Sequence, residues 1–232
     1  IPPAGSIILF EYILGQGLNG NIDVMSNEST SNWEFVDGVG YLADGEQTGY
    51  LFKEVGRIAN LKETVDFDLP AVVGIGHTRW ATHGMATKAN AHPHQSMSQR
   101  YSVVHNGVIE NYQALKTKYL MNTQLKSETD TEIVVALIEW FATNESLSAK
   151  DAFKRTLEVI EGSYALGLID KENPEVLYAA KNKSPLLIGL GQDFNVIASD
   201  AMATIDVTNE YLEIKDKELI TLTKDTVTIE KF

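Results

Sequence analysis

Apolar positions recur along this chain with two different periods. "SIILFEYIL" (6–14), "AVVGIGHT" (71–78) and "YSVVHNG" (101–107) are compact apolar or β-branched runs that predict buried strands, the last breaking at the turn dipeptide Asn-Gly. Between them the spacing becomes helical. In "LFKEVGRIANLKETV" (51–65), Ile58, Leu61 and Val65 share a face, and in "VIENYQALKTKYL" (108–120) Ile109, Tyr112, Leu115 and Tyr119 do the same. "TDTEIVVALIEWFA" (129–142) opens with a Thr-x-x-Glu capping box and reads as a mostly buried helix. "SAKDAFKRTLEVIEG" (148–162) has a serine cap, a Phe153/Leu157/Ile160 stripe and a terminal glycine.

After Gly162 the pattern shortens to strand-length runs separated by turn residues: "SYALGLID", "EVLYAAK", "PLLIGL", "FNVIAS", "YLEI", "ELITLT" and "TVTIE". Hairpin-length spacing predicts antiparallel pairing. Strands therefore flank a central helical block, an α+β chain with no internal repeat and no obvious linker. A single domain over residues 1–232 is the expectation. "GQGLNG" (15–20) lacks both the Walker lysine and the dinucleotide glycine spacing, and reads as turn glycines.

Charge narrows the function. Nineteen basic against 32 acidic residues give a net −13, the wrong sign for a nucleic-acid partner or an anionic membrane surface. No apolar run approaches the roughly 20 residues of a membrane span. The cysteine count is zero, so neither a disulfide framework nor a thiolate metal site is available. A cytoplasmic location is the expectation.

One stretch departs from this acidic character. From Leu69 to Ile109 there is no Asp or Glu, while Arg79, Lys88 and Arg100 fall inside, as do all five histidines. A zinc site would pair imidazoles with cysteine or carboxylate, and the segment offers neither, so no metal is expected. The strand ending at Thr78 and continuing into Arg79, Trp80, Thr82 and His83 instead offers a guanidinium, a hydroxyl and an imidazole, groups suited to a carboxylate ligand. An ion pair between Arg79 and an acid elsewhere in the fold fits the local sequence equally well. Asn106 and Gly107 could aim a side-chain amide and a backbone N–H at one point, as an oxyanion hole does, although Asn-Gly is more often a plain turn. Asp130, near a helix start, could cap it or hold an ammonium group.

The motifs "GIGHTRWATHG", "NAHPH", "VVHNGVIENYQALK", "SETDTE", "EGSYALGLID", "KNKSPLLIGLG" and "IASDA" stand in the order found in class II glutamine amidotransferases. The chain resembles that family, and within it the sugar-aminating branch, densely over residues 50–199. The Trp of "TRWATHG" and the "NAHPH" run favour that branch over the phosphoribosyl-pyrophosphate amidotransferases. The resemblance implies an N-terminal-nucleophile hydrolase fold, a four-layer αββα sandwich of two antiparallel sheets between helices. It further implies that Arg79, Thr82 and His83 bind the α-carboxylate of glutamine and Asp130 its α-ammonium. Asn106 and Gly107 would form the oxyanion hole, and Trp80 would belong to a loop closing over the substrate. Glutamine and glutamate are then the ligands, no cofactor is needed, and the ammonia-using partner is a sugar-phosphate isomerase domain of the same polypeptide.

The family opens on Cys-Gly-Ile, its thiolate attacking the amide while the α-amine serves as base. Here the sequence reads Ile-Pro-Pro-Ala-Gly-Ser, and no cysteine occurs anywhere. "WEFVDGVGY" (33–41) stands where the family has Arg-Gly-Tyr-Asp-Ser-Ala-Gly, and it contains no arginine. Ser6 could act only after cleavage at Gly5–Ser6. The chain is expected to be an amidotransferase domain without its isomerase portion. The alternative is a non-catalytic amino-acid-binding or partner-binding module on the same fold.

Overall fold

The computed structural model describes residues 7–10, 38–44, 49–55, 71–78, 87–192 and 194–232. Among them the first strands are β1 (Ile7–Phe10), β2 (Gly38–Asp44), β3 (Gly49–Glu54), β4 (Ala71–Thr78), β5 (His94–Gln95) and β6 (Tyr101–Ile109). Three helices follow, α1 (Tyr112–Tyr119), α2 (Asp130–Asn144) and α3 (Ala149–Val159). The chain then returns to strands: β7 (Gly162–Asp170), β8 (Leu177–Asn182), β9 (Leu187–Leu190), β10 (Asn195–Ala198), β11 (Glu210–Glu213), β12 (Glu218–Leu222) and β13 (Val227–Lys231). Every strand predicted after Gly162 is present.

Two sheets form, ordered β11-β9-β10-β1-β4-β2-β3 and β13-β12-β8-β7-β6-β5. All ladders of the second are antiparallel. The first departs from the predicted pattern at β1, which runs parallel to both neighbours, pairing Ile8 with Val196 on one side and with Gly74 on the other. Hairpin spacing is informative only about strands adjacent in sequence, and β1 has none of its partners nearby.

Strand alternation sorts the six-stranded sheet into two apolar faces. Val104, Ala165, Ile169, Leu177, Ala179 and Ile220 meet Val73, Ile75, Ile188 and Ile197 of the other sheet. Tyr101, Val103, Ile109, Leu166, Leu168 and Ala180 point the other way, into the helices. This arrangement places helix, sheet and sheet in three successive layers. The predicted fourth layer, beyond the seven-stranded sheet, lies outside the described residues, as does most of the predicted helix over 51–65, whose first four residues belong to β3.

Helix α2 is apolar almost all round, and Ile133, Val134, Val135, Leu137, Ile138 and Phe141 are each at most 2% exposed. Such a helix has to lie inside the molecule. Its start is fixed as the sequence predicts: Thr129 Oγ1 accepts the N–H of Glu132 at 3.3 Å. The Glu132 carboxylate reaches back further than a simple capping box, accepting the N–H groups of Lys126 and Ser127 at 2.7 and 2.6 Å. Helix α3 carries its predicted cap, with the Asp151 N–H donated to Ser148 Oγ at 3.2 Å. It buries one stripe through Ala152, Phe153, Thr156 and Leu157.

Candidate active site

The strand β6 does not break at Asn-Gly. It continues to Ile109, with Asn106 opposite Ala165 and Gly107 opposite Tyr164 on β7, so Val108 and Ile109 are strand rather than helix, and α1 begins only at Tyr112. The reason is steric. Gly107 has φ of +124°, and a Cβ there would lie 2.0 Å from the Ser163 carbonyl oxygen. Across the same ladder Gly162 has φ of +129°, and its Cβ would lie 2.1 Å from the Val108 oxygen. Gly162, predicted to terminate α3, therefore serves the strand pair instead. Only glycine permits both the dihedral and the approach. Gly107 is exposed and Asn106 half-buried, and among the described residues the Asn106 side-chain amide has no hydrogen-bond partner. A free amide beside an exposed, sharply turned peptide can receive negative charge on a ligand oxygen.

Asp130 lies in the first turn of α2, but Thr129, not Asp130, is the cap. The Asp130 carboxylate turns toward β6, where its Oδ2 accepts the Ile109 N–H at 2.8 Å. Among the described residues nothing donates to its Oδ1. Asp130 is 8% exposed. A carboxylate that is mostly enclosed yet half unsatisfied, two residues along the strand from Gly107, is equipped to hold a cationic group.

Four of the five histidines form a structure that the sequence did not reveal. The His77 Nε2–H donates to the His105 carbonyl at 3.1 Å, and His77 Nδ1 lies 3.0 Å from His92 Nδ1. His92 Nε2 and His105 Nδ1 each lie 2.9 Å from Thr131 Oγ1. His94 Nε2 lies 3.0 Å from Thr129 Oγ1. His77, His92, His94 and His105 are all buried. The rings of His77 and His92 meet edge to face at 4.0 Å between centroids, and those of His92 and His94 at 5.0 Å. They bond one another and two threonines rather than converging on a point. Among the described residues no group of three His, Cys, Asp or Glu is placed to hold a metal ion.

Burial pushes the His105 imidazole below its ordinary value, outweighing the Asp130 charge and the Ser163 backbone, which oppose it. The Asp130 carboxylate is 3.9 Å from His105 Nδ1, within ion-pair range. The nearer partner of Nδ1 is the Thr131 hydroxyl, at 2.9 Å.

Arg79, Trp80, Thr82 and His83 lie outside the described residues. The other two cations of the acid-free stretch are described, and both pair with acids from elsewhere. Arg100 makes a two-pronged bond to Asp170 through Nε and an Nη, each at 2.8 Å, and its other Nη meets Glu172 at 2.7 Å. Lys88 meets Glu54 at 2.9 Å, which holds the Glu54 carboxyl below its ordinary value. Absence of local acids thus does not by itself mark a cation as a ligand group.

These features agree with comparisons to known proteins. Residues 77–205 match the model of the glutamine amidotransferase domain family. This chain belongs to the class II glutamine amidotransferases, and its fold is of the N-terminal-nucleophile hydrolase type. It is 55% identical over 193 residues to the glutamine–fructose-6-phosphate aminotransferase (isomerizing) of Bacillus subtilis (strain 168), covering 83% of this chain and 32% of that one. With the same enzyme of Lactococcus lactis subsp. lactis (strain IL1403) it shares 56% over 194 residues, with the same coverage. The chain thus spans about a third of the length of these relatives. Among solved structures, the glutamine phosphoribosylpyrophosphate amidotransferase of B. subtilis superposes with a TM-score of 0.69 at 24% identity, over 84% of this chain and 42% of that one. A glutamine aminotransferase class-II domain protein from Silicibacter pomeroyi gives 0.58 at 15%, over 84% and 91%. The 55% and 56% identities agree with the branch that the Trp80 and "NAHPH" motifs favoured.

Proposed function

We propose that this single domain, residues 1–232, binds glutamine and hydrolyses its side-chain amide to glutamate and ammonia. The ammonia would serve amination of fructose 6-phosphate to glucosamine 6-phosphate by a sugar-phosphate isomerase domain of a longer cytoplasmic polypeptide. The observation that carries this reading is the end of β6: among the described residues the Asn106 amide has no hydrogen-bond partner, Gly107 is exposed, and Asp130 accepts the Ile109 N–H through Oδ2 with nothing donating to its Oδ1. In the proposal Asp130 Oδ1 receives the α-ammonium, and Arg79, Thr82 and His83 receive the α-carboxylate. A nucleophile adding to the amide carbon drives charge onto the amide oxygen. Asn106 Nδ2–H and the Gly107 N–H stabilise that charge; the proton lost by the nucleophile passes to the amide nitrogen, the C–N bond breaks to release ammonia, and water then cleaves the acyl–nucleophile bond to give glutamate and restore the nucleophile. Trp80 closes over the bound amino acid.

No cysteine stands among the 232 residues, so none of them supplies the thiolate that opens the family's reaction. That observation favours a second reading, an amino-acid-binding module without turnover. Heat protection by glutamate, ammonia release from glutamine, and the mass of the intact polypeptide separate the two. Binding with stoichiometric ammonia and glutamate supports the amidase, and binding with ammonia at the buffer rate supports the module. A well-folded sample showing neither removes both.

A further inference from the structure

We infer that Thr131 is a positioning residue, whose hydroxyl joins His92 to His105 and so locks strand β6, bearing Asn106 and Gly107, to the strand that leads into Arg79. The inference rests on the amino-acid-binding reading of this site. It extends that reading to a residue that touches no ligand.

With the rings neutral, the hydrogen bonds among His77, His92, Thr131 and His105 are met by the following order of protons. The His105 carbonyl can only accept, so His77 carries its proton on Nε2 and its Nδ1 is bare. His92 must then donate from Nδ1 to His77 Nδ1, which leaves His92 Nε2 bare. The Thr131 hydroxyl proton goes to His92 Nε2, and its oxygen accepts from His105 Nδ1–H. In this order His105 Nε2 ends the chain bare; it makes no hydrogen bond of good geometry, although the Ser163 backbone beside the ring favours its charged form. A buried lone pair is a tolerable end for such a chain, whereas a buried N–H would not be. Burial of His105, which disfavours its charged form, supports the neutral count.

The consequence is mechanical. The chain begins at the carbonyl of His105, the residue before Asn106, and ends at the ring of the same residue. Between them it passes through β4, through the segment carrying His92 and through the first turn of α2. Asp130 precedes Thr131 in that turn and accepts the Ile109 N–H further along the strand. His105 is thus tied through both its backbone and its ring, one residue from Asn106. Thr131 is the one hydroxyl in the loop, able to donate to one ring and accept from another at the same atom. A valine of the same shape can do neither.

Two measurements test this. Long-range 15N–1H spectra of the labelled protein should show His77 protonated on Nε2, and His92 and His105 on Nδ1. Calorimetric titration with glutamate should give about tenfold weaker binding for Thr131→Val in protein that remains folded by its amide spectrum, with Thr131→Ser restoring most of the loss. A merely structural role would lower the melting temperature and leave the affinity of the folded protein unchanged. A different proton order, or a folded Thr131→Val binding glutamate as the parent does, overturns the inference. Should the parent itself bind no glutamate while its tautomers follow the expected order, the amino-acid reading fails and takes the positioning role with it.

Discussion

Asp130 Oδ2 accepts the backbone N–H of Ile109 at 2.8 Å, so the first turn of α2 is fastened to the strand that presents Asn106 and Gly107. A side-chain amide has the same shape and keeps an oxygen for that bond. Asp130→Asn should therefore leave the melting temperature within a few degrees of the parent. In the proposed site it removes the charge opposite the α-ammonium, and glutamate binding should weaken by at least tenfold. Charge-assisted bonds of this kind are worth about 1.5–3 kcal/mol. An unchanged dissociation constant would mean that Asp130 serves only the fold.

Gly107 tests the strand geometry directly. An alanine there sets a methyl 2.0 Å from the backbone oxygen of Ser163 at φ +124°, and neither backbone can yield without breaking the β6–β7 ladder. Gly107→Ala should cost more than about 3 kcal/mol in urea unfolding, among the largest single-residue effects expected. Gly162→Ala, which meets the Val108 oxygen at 2.1 Å, should behave alike. A soluble Gly107→Ala protein within 1 kcal/mol of the parent would contradict the close approach.

Much of this architecture was legible because apolar period alone locates a strand or a buried helix. "AVVGIGHT" coincides with β4, and "TDTEIVVALIEWFA" with α2 and its Thr129 cap. The failures have a common physical source. Asn-Gly signals a turn only when the chain is considered alone; at Gly107 the glycine answers a demand made by Ser163 on another strand. The parallel ladders of β1 depend on partners 66 and 188 residues distant. The hydrogen bonds of the histidines to one another and to Thr129 and Thr131 went unforeseen, because no periodicity distinguishes those hydroxyls from cap residues. Asn106, Gly107 and Asp130 are proposed for the site on the family resemblance, because the residue pattern alone does not separate them from turn and cap.

The acid-free stretch from Leu69 to Ile109 contains two arginines, and they should respond oppositely. Arg100→Lys removes the two-pronged bond to Asp170, a carboxylate side chain only 3% exposed, while Arg100 itself is one-third exposed. Solvent screens part of that pair, so a loss of about 1–2 kcal/mol in stability is expected, with glutamate affinity intact. Arg79→Lys, in the proposed carboxylate clamp, should weaken glutamate by more than tenfold and barely move the melting temperature. A stability loss at Arg79 with binding intact would assign it to a structural ion pair like that of Arg100.

His105 makes stability depend on pH with a definite sign. Burial holds its imidazole below the value of the unfolded chain, about 6.5, so the unfolded state takes up a proton first as pH falls. Its contribution is complete above about pH 6.5 and is lost as pH drops from there toward the lower folded value. The groups facing it decide how far that value falls. Asp130 at the start of α2 draws it up, as does the Ser163 backbone on β7. His92, reached through Thr131, and His77, bonded to the His105 carbonyl, add no negative charge. Urea unfolding at closely spaced pH values between 7.5 and 5 should therefore show the parent losing stability. In His105→Asn that slope should be shallower by up to about 1.4 kcal/mol per pH unit, the linkage of one proton. Parallel slopes in the two proteins would show that the imidazole is protonated equally easily folded and unfolded, and the neutral ring inferred at the end of the histidine chain could not then be correct.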